Sequence, residues 1–99
     1  MAAQLQRSTG NVFKDLGFSE EEAENLKIRA DLMIELTKLI EAQALTQGAA
    51  AKLLGVTQPR VSDLMRGKID RFSVDGLIEM LGHAGVCVSV VVTPRSRVA

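Results

Sequence analysis

Residues 46–67 read T-Q-G-A-A-A-K-L-L-G-V-T-Q-P-R-V-S-D-L-M-R-G, and this stretch decides the fold of the chain. It predicts two short helices joined by a tight turn. Thr46 is a good N-cap before a run of helix formers, and Gly55 suits the left-handed residue that ends a helix. Thr57 can cap a second helix, in which Pro59 falls in the first turn, where backbone N–H groups lack helical partners.

The apolar residues of this stretch have helical spacing, so each helix has one buried face. The two faces consist of Ala50, Ala51 and Leu54, and of Val61, Leu64 and Met65. The small side chain of Ala51 lets the second helix pack closely across the first. Two helices in this arrangement can place the second one in a DNA major groove. The polar residues left on its outward side are Gln58, Arg60, Ser62 and Asp63.

The stretch resembles the helix-turn-helix of the Xre or lambda-repressor-like family, and with its flanking helices the resemblance covers residues 19–85. It departs from the family at Gly48, where a larger helix former is usual; glycine loosens a helix by about 1 kcal/mol relative to alanine. The resemblance implies a mostly α bundle of four to five helices that binds double-stranded DNA. The family signature is carried by Thr46, Gln47, Ala50, Ala51, Leu54, Gly55, Val56, Gln58, Val61, Ser62, Leu64, Gly67 and Lys68.

Composition excludes several other classes of protein. The 99 residues, 46% of them hydrophobic, allow one domain with a small core. A single cysteine, Cys87, excludes an internal disulfide and fits a reducing cytoplasm. His83 is the only histidine, too few ligands for a metal site, and no catalytic constellation or phosphate loop is present. We therefore expect no metal, no cofactor and no enzyme activity. The sequence has no run of about 18 apolar residues and does not open with a signal-like pattern, so we expect neither a membrane span nor secretion by a standard signal.

Charge is concentrated on the motif although the chain as a whole is neutral. Residues 1–45 hold five basic and eight acidic side chains, a net of −3. Residues 46–71 hold five basic and two acidic side chains, a net of +3. This distribution is the electrostatic footprint that DNA binding requires.

The N-terminal third is predicted to contain an arm and a long helix. Residues 1–18 form the arm, and within it residues 12–18, V-F-K-D-L-G-F, are an apolar island. We expect this island to dock as a leader that staples the next helix; docking on the dimer as a strand or turn, or staying loose to await a partner, are the alternatives. Ser19 and Glu22 form a capping box, and nothing before Gln43 breaks a helix, although a break near Lys27 stays open. Such a helix is longer than the motif needs, so its first turns should pack against something else.

The C-terminal third is predicted to contain a helix and a dimerisation strand. Ser73 caps a helix over residues 74–81, which glycines 82 and 85 end. Residues 86–93, V-C-V-S-V-V-V-T, alternate as a strand, and residues 94–99 form a tail. One strand cannot satisfy its own backbone, and the only other candidate strand is residues 12–16. We therefore expect pairing with a second copy across a two-fold axis, through Val86, Val88, Val90 and Val92.

A two-fold dimer would read an inverted repeat with its second helices in successive major grooves. Gln58, Arg60 and Ser62 lie near the N-terminal end that enters the groove and have side chains that can bind base edges. The alternative for Gln58 and Arg60 is that they belong to an ordinary solvated face and bind no base. We expect five residues to bind phosphates: Gln47, Lys52, Thr57, Arg66 and Lys68. For Gln47 this role is implied by the family resemblance.

The biological role depends on the flanks of the motif. The V-F-x-D-L-G-F leader and the long first helix resemble HigA-like antitoxins, which bind a toxin and repress their own operon. That resemblance predicts a small toxin protein as a further partner. Two alternatives remain: a stand-alone Xre-type regulator without a toxin, and a helix-turn-helix used as a protein-interaction module.

Overall fold

The computed structural model describes residues 2–4 and 11–94, which form five α-helices, one 3₁₀ turn and two short strands. The helices confirm the mostly α, lambda-repressor-like bundle. In chain order the elements are β1 (Ala2–Gln4), α1 (Val12–Asp15), α2 (Glu20–Ala42), α3 (Gln47–Leu54), α4 (Gln58–Met65), the 3₁₀ turn (Ile69–Arg71), α5 (Val74–His83) and β2 (Cys87–Ser89).

The long helix α2 is continuous, with no break near Lys27. It begins as predicted, because the Ser19 hydroxyl accepts a hydrogen bond of 3.2 Å from the Glu22 amide. Its first turns pack against α1, and the Asn11 side chain donates a 2.9 Å hydrogen bond to the Ala23 carbonyl. Ala23 is fully buried under this contact. The packing partner that the length of α2 requires is therefore the leader of the same chain.

The structure confirms that residues 12–18 dock on the helix that follows them, but as a short helix and a turn and not as a strand. Residues 12–15 form a short helix, whose first turn is capped by the Asn11 side chain through a 3.0 Å hydrogen bond from the Phe13 amide. Phe13 and Phe18 meet edge to face, with their ring centroids 6.3 Å apart. An aromatic pair and a side-chain cap together stabilise a helix too short to persist alone.

The core lies where α2, α3, α4 and α5 meet. Ala50 and Ala51 are both buried, which confirms that small side chains let α4 cross close to α3. The largest fully buried side chains come from all four helices and are Leu32, Leu36, Leu54, Val61, Leu64, Leu77 and Leu81. Such a core fixes how α4 is presented on the surface.

The two strands differ from the prediction in pairing and length. Cys87–Ser89 pairs in parallel with Ala2–Gln4, in the register Ala2 with Cys87 and Gln4 with Ser89. The chain therefore supplies a second strand from the segment predicted to be a flexible arm, and the prediction of a strand over residues 12–16 is wrong. The residues from Val90 to Pro94 have no regular secondary structure. Residues 5–10 of the predicted arm and 95–99 of the predicted tail lie outside the described residues.

Helix α5 is longer than predicted. The Ser73 hydroxyl caps it by accepting a 3.0 Å hydrogen bond from the Gly76 amide, as expected. Gly82 does not end the helix, which continues to His83, and the chain turns at Gly85 with φ +80°. Glycine inside a helix weakens it without preventing it, whereas the positive φ needs glycine, so the later glycine is the effective stop.

Candidate nucleic-acid interface

The turn between α3 and α4 has the geometry that its sequence predicts. The Thr46 hydroxyl accepts a 3.1 Å hydrogen bond from the Ala49 amide, and Gly55 has φ +68° in the left-handed region. A Cβ atom at Gly55 would lie 3.0 Å from three atoms of the His83 ring, so α5 also packs against the turn. Thr57 occupies the N-cap of α4, but its side chain makes no capping hydrogen bond. Its hydroxyl can therefore serve a ligand such as a phosphate.

The surface of α4 that points away from the core carries four residues at helical spacing. With Val61 and Leu64 buried, positions i, i+3, i+4 and i+7 counted from residue 59 lie opposite them. We name this surface the outer face of α4: Pro59, Ser62, Asp63 and Arg66. Gln58 stands beside it, exposed at the first position of the helix. Of the predicted base-reading residues, the structure therefore brings Gln58 and Ser62 together on one side of the helix.

Arg60 lies on a flank of α4 and is engaged with the protein itself. Its Nη1 atom donates a 2.7 Å hydrogen bond to the Arg71 carbonyl, and its guanidinium lies 4.4 Å from the centre of the Phe72 ring. A Cβ atom at Gly76 would lie 3.9 Å from Nη2 of Arg60, an ordinary van der Waals distance, so the start of α5 lies beside the guanidinium. Reading a base would require Arg60 to give up a charge-assisted hydrogen bond and a cation–π contact.

Asp63 binds two of the basic residues that follow α4. Its Oδ2 atom lies 3.2 Å from Nη1 of Arg71, and its Oδ1 atom lies 3.8 Å from Nζ of Lys68. Arg71 is thus held twice by α4, through its carbonyl by Arg60 and through its guanidinium by Asp63. Arg60 and Asp63 are three positions apart, so their two contacts with Arg71 span about one helical turn of α4.

Arg29 on α2 binds the same linker from the other side. Nη1 of Arg29 donates hydrogen bonds to the carbonyls of Ile69, at 3.2 Å, and of Phe72, at 3.3 Å. The Phe72 ring is itself buried in the core. The linker between α4 and α5 is therefore fixed from both sides, and the position of α4 is fixed with it.

The residues predicted to bind phosphates are distributed over both helices of the motif. Gln47 is exposed at the first position of α3, where backbone amides have no helical acceptor. Lys52 and Arg66 are exposed and form no ion pair among the described residues. Thr57 is exposed at the N-cap of α4. Lys68 differs from the others, because its ammonium is shared with Asp63.

The structure assigns contacts to Asp63 and Arg29, for which the sequence predicts no specific role. Helical spacing alone identifies Pro59 and Arg66 as neighbours of Ser62. The ion pair of Asp63 with Arg71 spans eight residues and two elements, so no local pattern announces it. The contacts of Arg29 span 40 residues or more and have no sequence signal at all.

The valines predicted for dimerisation divide into two groups. Val86 is buried in the core of its own chain, and Val88 packs against that core. Val90 and Val92 are 67% and 89% exposed. Only the second pair is available to another molecule, because the first two valines pack on the core of their own chain and the strand ends at Ser89, before the second two.

Comparison with known proteins identifies the family to which this geometry belongs. A family model described as a helix-turn-helix domain matches residues 12–93. A solved structure assigned to the XRE family of transcriptional regulators is 38% identical, with a TM-score of 0.70; the match covers 79% of this chain and 90% of that one. The chain is a helix-turn-helix protein of the XRE family. It is accordingly a DNA-binding transcriptional regulator. No protein of curated function matches the sequence.

Two further findings concern only residues 2–4 and 11–94 of this XRE-family chain. No group of three or more histidine, cysteine or acidic side chains is arranged to hold a metal ion. None of the helices is both long and apolar enough to cross a bilayer.

Proposed function

We propose that this protein represses transcription by binding an inverted-repeat operator as a homodimer. The observation that carries the proposal is the outer face of α4, on which Pro59 and Arg66 are exposed and Ser62 and Asp63 are half-buried. Gln58 and Thr57 are exposed at the end of the helix that would enter the groove, and the Thr57 hydroxyl makes no capping hydrogen bond. In a two-fold dimer whose two copies of α4 lie about 34 Å apart, the N-terminal ends of both copies would reach successive major grooves.

Base reading is proposed for Gln58, Arg60 and Ser62, with unequal contributions. Glutamine can bind adenine through two hydrogen bonds, arginine can bind guanine likewise, and serine serves several bases. Arg60 must first leave the Arg71 carbonyl and the Phe72 ring. We therefore expect Gln58 and Ser62 to carry more of the sequence discrimination than Arg60.

Selection of bound sequences from random duplex DNA tests the proposal directly. Purified protein should enrich an inverted repeat. Gln58→Ala should weaken binding to that repeat by roughly 5- to 150-fold, because a good bidentate base contact contributes about 1–3 kcal/mol. Gln43→Ala, at the exposed C-cap of α2, is the matched control and should change little. If no duplex is enriched, the motif acts as a protein-interaction module and the operator proposal fails.

Phosphate binding is proposed for Gln47, Lys52, Thr57, Arg66 and Lys68. Each cation that neutralises a phosphate contributes about 0.9 to the slope of log K against log salt. Lys52→Gln should therefore lower that slope by about 0.9 per monomer on any duplex. Lys68→Gln should lower it less, because the Lys68 ammonium is already paired with Asp63. Equal effects of the two substitutions would contradict the reasoning.

Dimerisation is proposed through the open edge of β2 and the exposed valines that follow it. A two-stranded sheet is marginal alone, and among residues 2–4 and 11–94 only β1 pairs with β2, along one edge. Antiparallel pairing of β2 with its copy would make a four-stranded sheet and would cover Val90 and Val92.

Sedimentation velocity tests this interface. Val90→Lys combined with Val92→Lys should convert the dimer into a monomer at concentrations where the natural protein is dimeric, because lysine on a strand edge opposes pairing. Val12→Lys changes a valine that is also exposed, at 58%, and should leave the dimer intact. A dimer that survives the double substitution would show that the edge of β2 is not the interface.

An antitoxin role is proposed on the resemblance of the leader and of the long first helix to HigA-like proteins. The V-F-K-D-L-G-F leader packs as α1 and the following turn against the first turns of α2, so it is part of the folded domain. A reading frame for a small basic protein beside the gene, toxic when expressed alone and harmless when co-expressed, would support this role. Without such a neighbour, the stand-alone regulator is the better reading.

A further inference from the structure

Asp63 places a negative charge on the surface that the recognition helix offers to DNA. It lies on the outer face of α4, and its side chain is only 20% exposed, because Arg71 and Lys68 lie over it. The helix-turn-helix and its linker, residues 46–71, hold five basic side chains. One acidic side chain therefore binds two of the five cations in this segment.

Binding to DNA of arbitrary sequence and binding to the operator depend differently on the number of cations and on their orientation. Binding to arbitrary sequence depends on how many phosphates are neutralised, and base contacts contribute nothing to it. A docked operator complex holds each cation in a defined register against the backbone. In that complex a guanidinium oriented by a carboxylate is an advantage, since arginine has five donors and Asp63 uses only Nη1.

We propose that Asp63 is a specificity-determining residue of this interface. It withholds Arg71 and Lys68 from phosphates of arbitrary sequence, and it orients Arg71 for a phosphate of the operator. Asp63 thereby widens the gap between the two affinities, and its own carboxylate reads no base. This inference rests on the proposed operator binding.

The test uses the full chain and two duplexes of equal length, the selected operator and its scrambled sequence, across a range of salt concentrations. Asp63→Asn keeps the shape of the side chain and removes its charge. Binding of the scrambled duplex should tighten by roughly eightfold at about 0.1 M salt for each cation released, with a slope steeper by about 0.9. Operator binding should change less, so the ratio of the two affinities should fall about fivefold or more.

Two controls separate this role from a general charge effect and from a structural one. Glu21→Gln makes the same change in net charge on an exposed residue in the first turn of α2, outside the motif, and should leave the ratio unchanged. Asp63→Asn in an Arg71→Gln background should change scrambled-duplex binding less than in the natural chain, because one of the two held cations is gone.

The outcomes are distinct. A natural protein that does not prefer the operator over the scrambled duplex refutes the proposed function, and this inference with it. A clear operator preference with an unchanged ratio in Asp63→Asn overturns the inference alone. So does a loss of both affinities together with a lowered melting temperature, which would make Asp63 a structural residue.

Discussion

Substitution of Gly55 by alanine is the sharpest test of how α4, the proposed recognition helix, is held. Gly55 has φ +68°, and a left-handed conformation costs an alanine about 1–2 kcal/mol. The new Cβ would also lie 3.0 Å from the His83 ring, which must move by a few tenths of an ångström. We expect a loss of about 1–3 kcal/mol, or a fall in melting temperature of roughly 5–15 °C for a domain of this size.

Gly48→Ala is the matched control, because it adds the same atom to the other glycine of α3 and its turn. Gly48 has ordinary helical geometry, and a Cβ there would meet nothing within 4 Å. We expect a gain of about 0.5–1 kcal/mol, so the two substitutions should shift stability in opposite directions. Circular dichroism melts at one protein concentration measure both, since dimerisation makes the melting temperature concentration-dependent.

The two costs at Gly55 can be measured separately. In a His83→Ala background the contact with the ring is absent, so Gly55→Ala should cost only the backbone term of about 1–2 kcal/mol. Gly55→Asn should cost less backbone strain than Gly55→Ala, because asparagine tolerates the left-handed region. If Gly55→Ala melts at or above the temperature of the natural protein, the turn does not have this geometry and the reasoning is refuted.

Three further predictions concern the caps, the linker and the core. Thr46→Ala should cost about 1 kcal/mol in urea unfolding and Thr57→Ala clearly less, because only the first threonine makes a capping hydrogen bond. Arg60→Met should cost about 1–3 kcal/mol by the same assay through loss of the Arg71 carbonyl bond and the Phe72 stack, and a variant as stable as the natural protein would contradict it. Leu54→Ala should cost about 2–5 kcal/mol, and a smaller loss would mean that the helices close over the cavity.

The parts of the fold that follow from local sequence were predictable. Thr46, Ser19 and Ser73 all cap the helices that they were expected to cap, and Gly55 ends α3 in the left-handed conformation. Each of these signals acts within about one turn of the chain, where sequence distance and spatial distance coincide. The helical spacing of apolar residues placed the core of α3 and α4 for the same reason.

The parts that depend on distant partners were not predictable. The strand at Ala2–Gln4 has no pattern of its own and exists because residues 87–89 offer an edge for pairing. The leader helix needs Asn11 to reach the carbonyl of Ala23, twelve residues away. Only the folded chain creates these contacts. Composition therefore assigns residues 2–4 to an arm and leaves the conformation of residues 12–18 undecided.

Helix geometry separates Arg60 from Gln58 and Ser62, which are predicted to read bases with it. Gln58, Arg60 and Ser62 alternate, which is the period of a strand. On a helix, residues two apart are separated by about 200° around the axis, so Arg60 cannot share a face with both neighbours. Its side chain instead meets Phe72, which the fold places beside the flank of α4.

The same cations that give the motif its positive charge also build its linker. Arg60 and Arg71 join α4 to the residues that precede α5, while Lys68 pairs with Asp63. Of the five basic side chains in residues 46–71, only Lys52 and Arg66 carry no such contact within the described part of the chain. A net charge of +3 therefore overstates what an arbitrary duplex can use. We propose that the remaining cations act on DNA in the geometry that the linker sets, so that they contribute to specificity more than to affinity.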